Sequence, residues 1–302
     1  MIYTCTINPS LDYYIKVDDV ILDKTNRVLK EEFRAGGKGV NVSIALNNMN
    51  IPSRCLGFLG GFTKDYYLDF LATYKNILPS FVGIKENTRI NIKLVKNNTS
   101  FNAHGPMISM AEWERFINRT KQIDTRDFFV LSGNVQEELE DKVYILLEEL
   151  SKRNVFIILD TNPSLMKRSL NLAPLLLAPS KEDLECIYNT KINNENELIS
   201  LAKKLIDDGA SNVLLSLDNE KIIYLGPNLY LSEGLNDFKK DDTTGSNDAL
   251  VAGFISSILK GASSLDAYRY ALASYHATRT NKQIADINVI NEIYDKIKII
   301  QN

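Results

Sequence analysis

Short apolar runs alternate along this chain with longer segments of helical spacing, and that alternation restricts its fold more than any other feature. The runs are Ile2–Ile7, Arg54–Leu59, Phe128–Ser132, Val155–Asp160, Leu175–Ala178 and Val213–Leu217. Helical patterns are expected at Val40–Asn48, Ala111–Arg119, Glu137–Lys152, Glu195–Asp208, Asp248–Lys260, Leu265–Thr280 and Val289–Ile300. Strand followed by helix, repeated, is the pattern of βαβ units around a largely parallel sheet, an α/β class fold. In Glu137–Lys152 the apolar residues Leu139, Val143, Leu146, Leu147 and Leu150 share one face, which marks a core helix and nothing more. Tyr13–Phe33 and Arg89–Ala103 break the series by alternating side to side, like strands with one covered face. A length of 302 residues admits one large α/β domain or two small ones, and no linker, repeat or low-complexity stretch divides it.

Chemistry concentrates in Thr243-Thr244-Gly245-Ser246-Asn247-Asp248, a small-residue turn running into the apolar helical pattern of Leu250, Val251, Phe254 and Ile255. A turn feeding a helix N-terminus offers unpaired N–H groups and the positive end of the helix dipole, which together attract a phosphate. A carboxylate there makes sense as the acceptor of a proton from a hydroxyl that attacks phosphorus. The same pattern also fits an Asp that simply caps the helix.

The segment resembles the C-terminal signature of the PfkB (ribokinase-like) sugar kinases: Asp242, Thr244, Gly245 and Asp248 match, while Ser246 and Asn247 replace the usual Ala and Gly. Thr6–Asp12 is similar to that family's opening strand with its sugar-binding aspartate, and Ala35-Gly36-Gly37-Lys38-Gly39-Val40-Asn41-Val42 to the glycine-lysine motif of its phosphosugar branch. Thr88-Arg89-Ile90-Asn91 resembles its T-R-I-N strand, and Leu59-Gly60-Gly61-Phe62-Thr63 a further signature, with Lys64 where Gly is usual. The resemblance implies a single ribokinase-like domain over 1–302, a three-layer sandwich with a small β-sheet lid built from about 12–34 and 88–105. In the family that lid is often a homodimer surface. The implied activity is phosphorylation of a ketohexose phosphate, tagatose 6-phosphate or fructose 1-phosphate, by ATP with Mg²⁺.

At the sugar end, Asp12 suits a pair of vicinal hydroxyls, with a turn-forming Asp as the lesser alternative. Gly36 and Gly37 permit close backbone approach, and Asn41 both donates and accepts. Lys38 and Arg89 supply positive charge for a phosphate that the sugar already carries. By resemblance, Asn91, Ser132 and Asn134 (the Ser132-Gly133-Asn134 segment) join them, with Arg27 reaching from the lid or standing as a solvated surface residue.

At the nucleotide end the chain departs from the family. Ser180-Lys181-Glu182-Asp183 stands for N-x-x-E, which makes Asp183 a magnesium candidate through water, and it also reads as a capping box. Ser216-Leu217-Asp218-Asn219-Glu220-Lys221 lacks both glycines of the usual nucleotide loop, leaving Ser216 and Asp218, with Thr243, Thr244, Gly245 and Asn247, as nucleotide contacts. A glycine at 247 would adopt φ > 0 freely; Asn tolerates that region, and a Lys38 ammonium near the γ-phosphate is one way to compensate for the change. These departures also fit a phosphosugar sensor with weak catalysis, and a kinase of an unphosphorylated sugar is the other alternative.

A net charge of −3 gives no basic field for nucleic acid, and no apolar run reaches membrane-spanning length, so the chain reads as cytoplasmic. Cys5, Cys55 and Cys186 lack metal-ligand spacing and suit buried thiols in a reducing compartment. There is no G-x-G-x-x-G, and Gly36-Gly37-Lys38-Gly39 is not a Walker A loop because no Ser or Thr follows the lysine.

Overall fold

The computed structural model describes residues 1–95, 99–217, 221–226, 229–232, 244–281 and 283–301. The first half contains β1 (Ile2–Thr6), β2 (Ser10–Lys16), β3 (Lys30–Gly36), α1 (Lys38–Asn48), β4 (Ser53–Gly60), α2 (Phe62–Ala72), β5 (Ile77–Pro79), β6 (Val82–Ile84), β7 (Arg89–Leu94) and β8 (Thr99–Phe101). The middle runs α3 (Met110–Thr120), β9 (Phe128–Ser132), α4 (Glu137–Lys152), β10 (Phe156–Asp160), α5 (Pro163–Arg168), β11 (Leu176–Leu177), α6 (Lys181–Tyr188), α7 (Glu195–Asp207) and β12 (Val213–Leu217). Then come β13 (Lys221–Leu225), β14 (Leu229–Ser232), α8 (Ser246–Leu259), α9 (Ser264–Arg279), α10 (Ile287–Tyr294) and β15 (Ile299–Gln301).

The large sheet has the order β15-β14-β13-β12-β11-β10-β9-β1-β4-β5, with β6 also paired to β4. Every pair from β12 to β6 is parallel, as the alternation predicts, whereas β12–β13, β13–β14 and β14–β15 are antiparallel. Alternate strand residues face two cores. Tyr3, Cys5, Phe129, Leu131, Ile157 and Leu159 pack toward α3 to α7, and Ile2, Phe128, Val130 and Ile158 toward α1, α8, α9 and α10. This is the expected three-layer sandwich. The helix expected over Val289–Ile300 is a correction: it stops at Tyr294, and the chain re-enters the sheet as β15 beside β14. Lys296, Ile297, Lys298 and Ile299 alternate with a period of two, which no helix holds, and lead into the strand that begins at Ile299.

The second sheet has the order β3-β2-β7-β8 and forms the lid. Tyr13–Phe33 is not one alternating stretch, however: β2 and β3 pair as arms, and residues 18–29 connect them in exposed backbone outside strands. Cross-strand register sets Ser10, Asp12, Arg34, Gly36, Arg89 and Asn91 on one face of the lid, and Tyr13, Phe33, Ile90, Ile92 and Phe101 on the other. Cys5 and Cys55 are buried as expected, but Cys186 is exposed. Among the described residues no helix is long and apolar enough to cross a membrane.

Candidate active site

Parallel strands deliver their C-terminal ends to one edge of the sheet, where ligands of open α/β folds bind. Two helix starts meet there. Gly37, at φ 130° and ψ 128°, N-caps α1, and Gly245, at φ 81° and ψ 0°, N-caps α8. Both positions lie in the region that favours glycine. Asp248 therefore is not the capping residue; it sits inside the first turn of α8, 4% exposed. Its Oδ2 accepts from Asn41 Nδ2 of α1 at 2.8 Å. Burial, then the Asp160 carboxylate, push the Asp248 carboxyl up to about 7, against the pull of Lys38 and the Asn41 hydrogen bond. Asn247 lies in the same helical turn and is not a positive-φ residue. The expectation of a left-handed backbone at 247 is thus corrected: Gly245 makes the turn, and Asn247 is an ordinary helical residue of the first turn.

Lys38 opens α1, and its Nζ donates to Asp160 Oδ1 at 2.8 Å. Burial works against its charge, yet the carboxylates of Asp160, Asp248 and Asp183 outweigh that effect and hold the ammonium above its ordinary range. Asp160 Oδ2 is buried with no hydrogen-bond partner among the described residues. Sequence reasoning missed Asp160; the available signal was an acid ending the apolar run Val155–Asp160, where a carboxylate has no packing role.

Two cavities adjoin these helix starts, and a third lies at the base of the lid. One of about 180 Å³ is lined by Asp12, Gly36, Asn41 and Thr244, with Ile44 and Ile284 among its apolar walls. Asp12 Oδ1 is held by Ser10 Oγ at 2.7 Å and Asn91 Nδ2 at 2.8 Å, so Asn91 orients the aspartate and ties it to the second lid arm through the Ala103 N–H. A second cavity, about 280 Å³, is lined by Lys38, Asp160, Asp183, Ser216, Asn247 and Leu250. Asp183 does form the capping box of α6, its Oδ2 accepting from the Ser180 N–H and Oγ, both at 2.8 Å. It nonetheless faces this cavity, so the capping and cavity readings hold together.

The third cavity holds Arg89 with Lys85, Glu86 and Gly105. The Arg89 guanidinium grips the carbonyls of Ala103 and Asn8, both at 2.9 Å, which braces the lid base. Ser132 ends β9, buried with Oγ unpartnered among the described residues, and Asn134 is exposed beside it. Gly133 between them lies against Lys38. Arg27 is on the exposed connection between β2 and β3 and does not line any of the three cavities. Asp218, Asp242 and Thr243 lie outside the described residues.

Among the described residues no cluster of three or more metal-ligating side chains occurs. Two carboxylates in one cavity, one with a buried open oxygen, still suit Mg²⁺, which takes few protein ligands and keeps its waters.

The model of the pfkB family carbohydrate kinases matches residues 5–288. A 1-phosphofructokinase of Borreliella burgdorferi is 33% identical over 302 residues, covering 99% of this chain and 98% of the relative. A D-tagatose-1-phosphate kinase of Bacillus licheniformis is 31% identical, with 99% of each chain covered. In fold, the phosphofructokinase-2 of Escherichia coli in complex with substrates and products aligns at TM-score 0.90 and 20% identity, covering 98% of both chains. With a family match across nearly its whole length and the helix-start geometry above, this chain belongs to the pfkB family of carbohydrate kinases.

Proposed function

We propose that the chain transfers the γ-phosphoryl group of ATP to a hydroxyl of a ketohexose phosphate, giving the bisphosphate and ADP. The observation that carries this is Asp248: a buried carboxylate with a proton affinity near neutrality, inside the first turn of a helix. Its neighbours line the two cavities that acceptor and donor need, Asn41 and Thr244 the first, Lys38 and Asn247 the second.

In this reading Asp12, with Gly36 and Asn41, takes the sugar hydroxyls. The attacking oxygen bonds to the γ-phosphorus, its proton passes to Asp248, and the bond to the bridging oxygen breaks with its electron pair leaving on ADP. Asn41 occupies Oδ2, which leaves Oδ1 as the proton acceptor. Backbone N–H groups at the start of α8 and the Lys38 ammonium face the charge on the transferring group. Asp160 and Asp183 would hold Mg²⁺, which when bound screens the phosphate oxygens. Arg89, Ser132 and Asn134 serve the phosphate already on the acceptor.

The lid pairs two copies through its apolar outer face, where Phe33 is 37%, Ile92 37% and Phe101 59% exposed. The test of the activity is ADP release in a coupled assay with fructose 1-phosphate, tagatose 6-phosphate, tagatose 1-phosphate and the matching free sugars. Turnover of a phosphorylated ketohexose well above its free sugar is the expected result. No turnover with any of them, or preference for a free sugar, rejects it.

A further inference from the structure

Tyr67 lies on α2, fully buried, and its hydroxyl donates to the Gly36 carbonyl oxygen at 2.8 Å. Its ring packs edge-on against Phe81, centroids 5.7 Å apart, in a core shared with Leu59, Leu71 and Ile77. The peptide unit it holds joins two glycines. With no Cβ on either side, that plane turns over at little steric cost, so something must choose its orientation. In a trans peptide C=O and N–H point in opposite directions. Fixing the Gly36 carbonyl toward α2 therefore directs the Gly37 N–H away from it.

The rest of α2 shows why this anchor is well placed. Thr63 Oγ1 donates to the Gly60 and Thr88 carbonyls, both at 3.1 Å, and Thr88 immediately precedes Arg89 and β7. The Tyr66 hydroxyl reaches the Phe33 carbonyl at 3.4 Å. One helix thus fastens the main sheet at Gly60 to β3, to the start of β7 and to the glycine turn that follows β3.

We propose that Tyr67 is a positioning residue for the acceptor: it locks the Gly36–Gly37 peptide in the orientation that the bound sugar uses, without touching the sugar. This rests on the reading of that turn as part of the acceptor site.

Tyr67→Phe removes one oxygen and keeps the ring. With the ketohexose phosphate turned over in the assay above, KM for the acceptor is expected to rise about tenfold, the scale of one lost hydrogen bond. KM for ATP and kcat at saturation should stay within about two-fold of wild type, because the donor side is untouched. Tyr224→Phe is the control, since it also loses a side-chain hydrogen bond, to Asn212 Oδ1 at 2.6 Å, on β13 rather than at the turn. An unchanged acceptor KM in Tyr67→Phe, or an equal rise in Tyr224→Phe, overturns the proposal. So does a joint loss of kcat and both KM values with a lowered Tm, which marks general loosening. Asp12→Asn, run alongside, separates the two ways of failing. If it too leaves the acceptor KM unchanged, the acceptor site lies elsewhere and both readings fall; if it raises that KM while Tyr67→Phe does not, only the role of Tyr67 falls.

Discussion

Asp248 is where structure and chemistry oppose each other. Its carboxyl is pushed up to about 7 by burial and by Asp160, so ionising it near neutral pH works against folding. Between its unfolded value of about 4 and its folded value, the folded chain holds a proton that the unfolded chain has lost; that contribution to stability is present below about 4 and gone above about 7. Activity runs the other way, because the base must be ionised, so kcat/KM should rise with pH and level off above about 7. Asp248→Asn should then lose at least about 10²-fold in kcat. The same variant should melt higher than wild type at pH 8, by about 2–4 °C per kcal/mol recovered. A variant within a few-fold of wild-type kcat would remove Asp248 from the mechanism. Lys38 supplies a second check. Its charge pulls the Asp248 carboxyl down, so Lys38→Met should move the acid limb of the profile to higher pH. Asn247→Gly should not rescue that variant, since Asn247 is already helical and no turn is there to repair. An unmoved limb in Lys38→Met would mean that its charge does not reach the base.

At the scale of elements, what the sequence made legible was what packing or capping dictates locally. The parallel strands and α4 come from apolar spacing, and the Ser180–Asp183 capping box from two residues three apart. The glycine turn before α1 was equally plain, because no other residue type sits easily at φ 130°. Pairings between residues 81 to 207 positions apart were not legible. Nothing near Lys38 in the chain points to Asp160, nothing near Asn41 to Asp248, and nothing near Arg89 to the Asn8 carbonyl. The antiparallel edge was missed because apolar strands look alike whichever way they pair. Arg89 owes its structural role to one of these distant pairings. As a brace across the lid base it makes two charge-assisted bonds to carbonyls, and Arg89→Met should lower stability by about 1.5–3 kcal/mol. It should also weaken the phosphorylated acceptor more than the free sugar in calorimetry. A drop in Tm with no change in the ratio of the two affinities would make Arg89 structural only.

Across the whole molecule, the lid is the part whose two faces have different work. Its inner face carries Asp12, Arg34, Asn91 and Arg89; its outer face stacks Tyr13 on Phe33 with centroids 4.4 Å apart and continues through Ile90, Ile92 and Phe101. A polar sheet face can stand in water, whereas a contiguous apolar face is a candidate for cover by another surface. In the proposed assembly the domain and its acceptor cover the first face, and a second copy covers the second. Two such faces meeting by a two-fold axis would be self-complementary, each Phe33 entering the same patch on the partner. Phe33→Asp places a charge in the centre of that contact and leaves the inner face alone, because residues 33 and 34 point to opposite sides of the strand. Light scattering should show a dimer for the wild type and a monomer for the variant. The monomer should keep its melting transition, since Phe33 lies outside the main cores. Its acceptor KM should rise while KM for ATP holds, because in the proposed reading the lid residue Asp12 serves the acceptor site and no lid residue lines the donor cavity. A wild-type chain that is monomeric at micromolar concentration, or a Phe33→Asp variant that stays dimeric, would put the contact elsewhere.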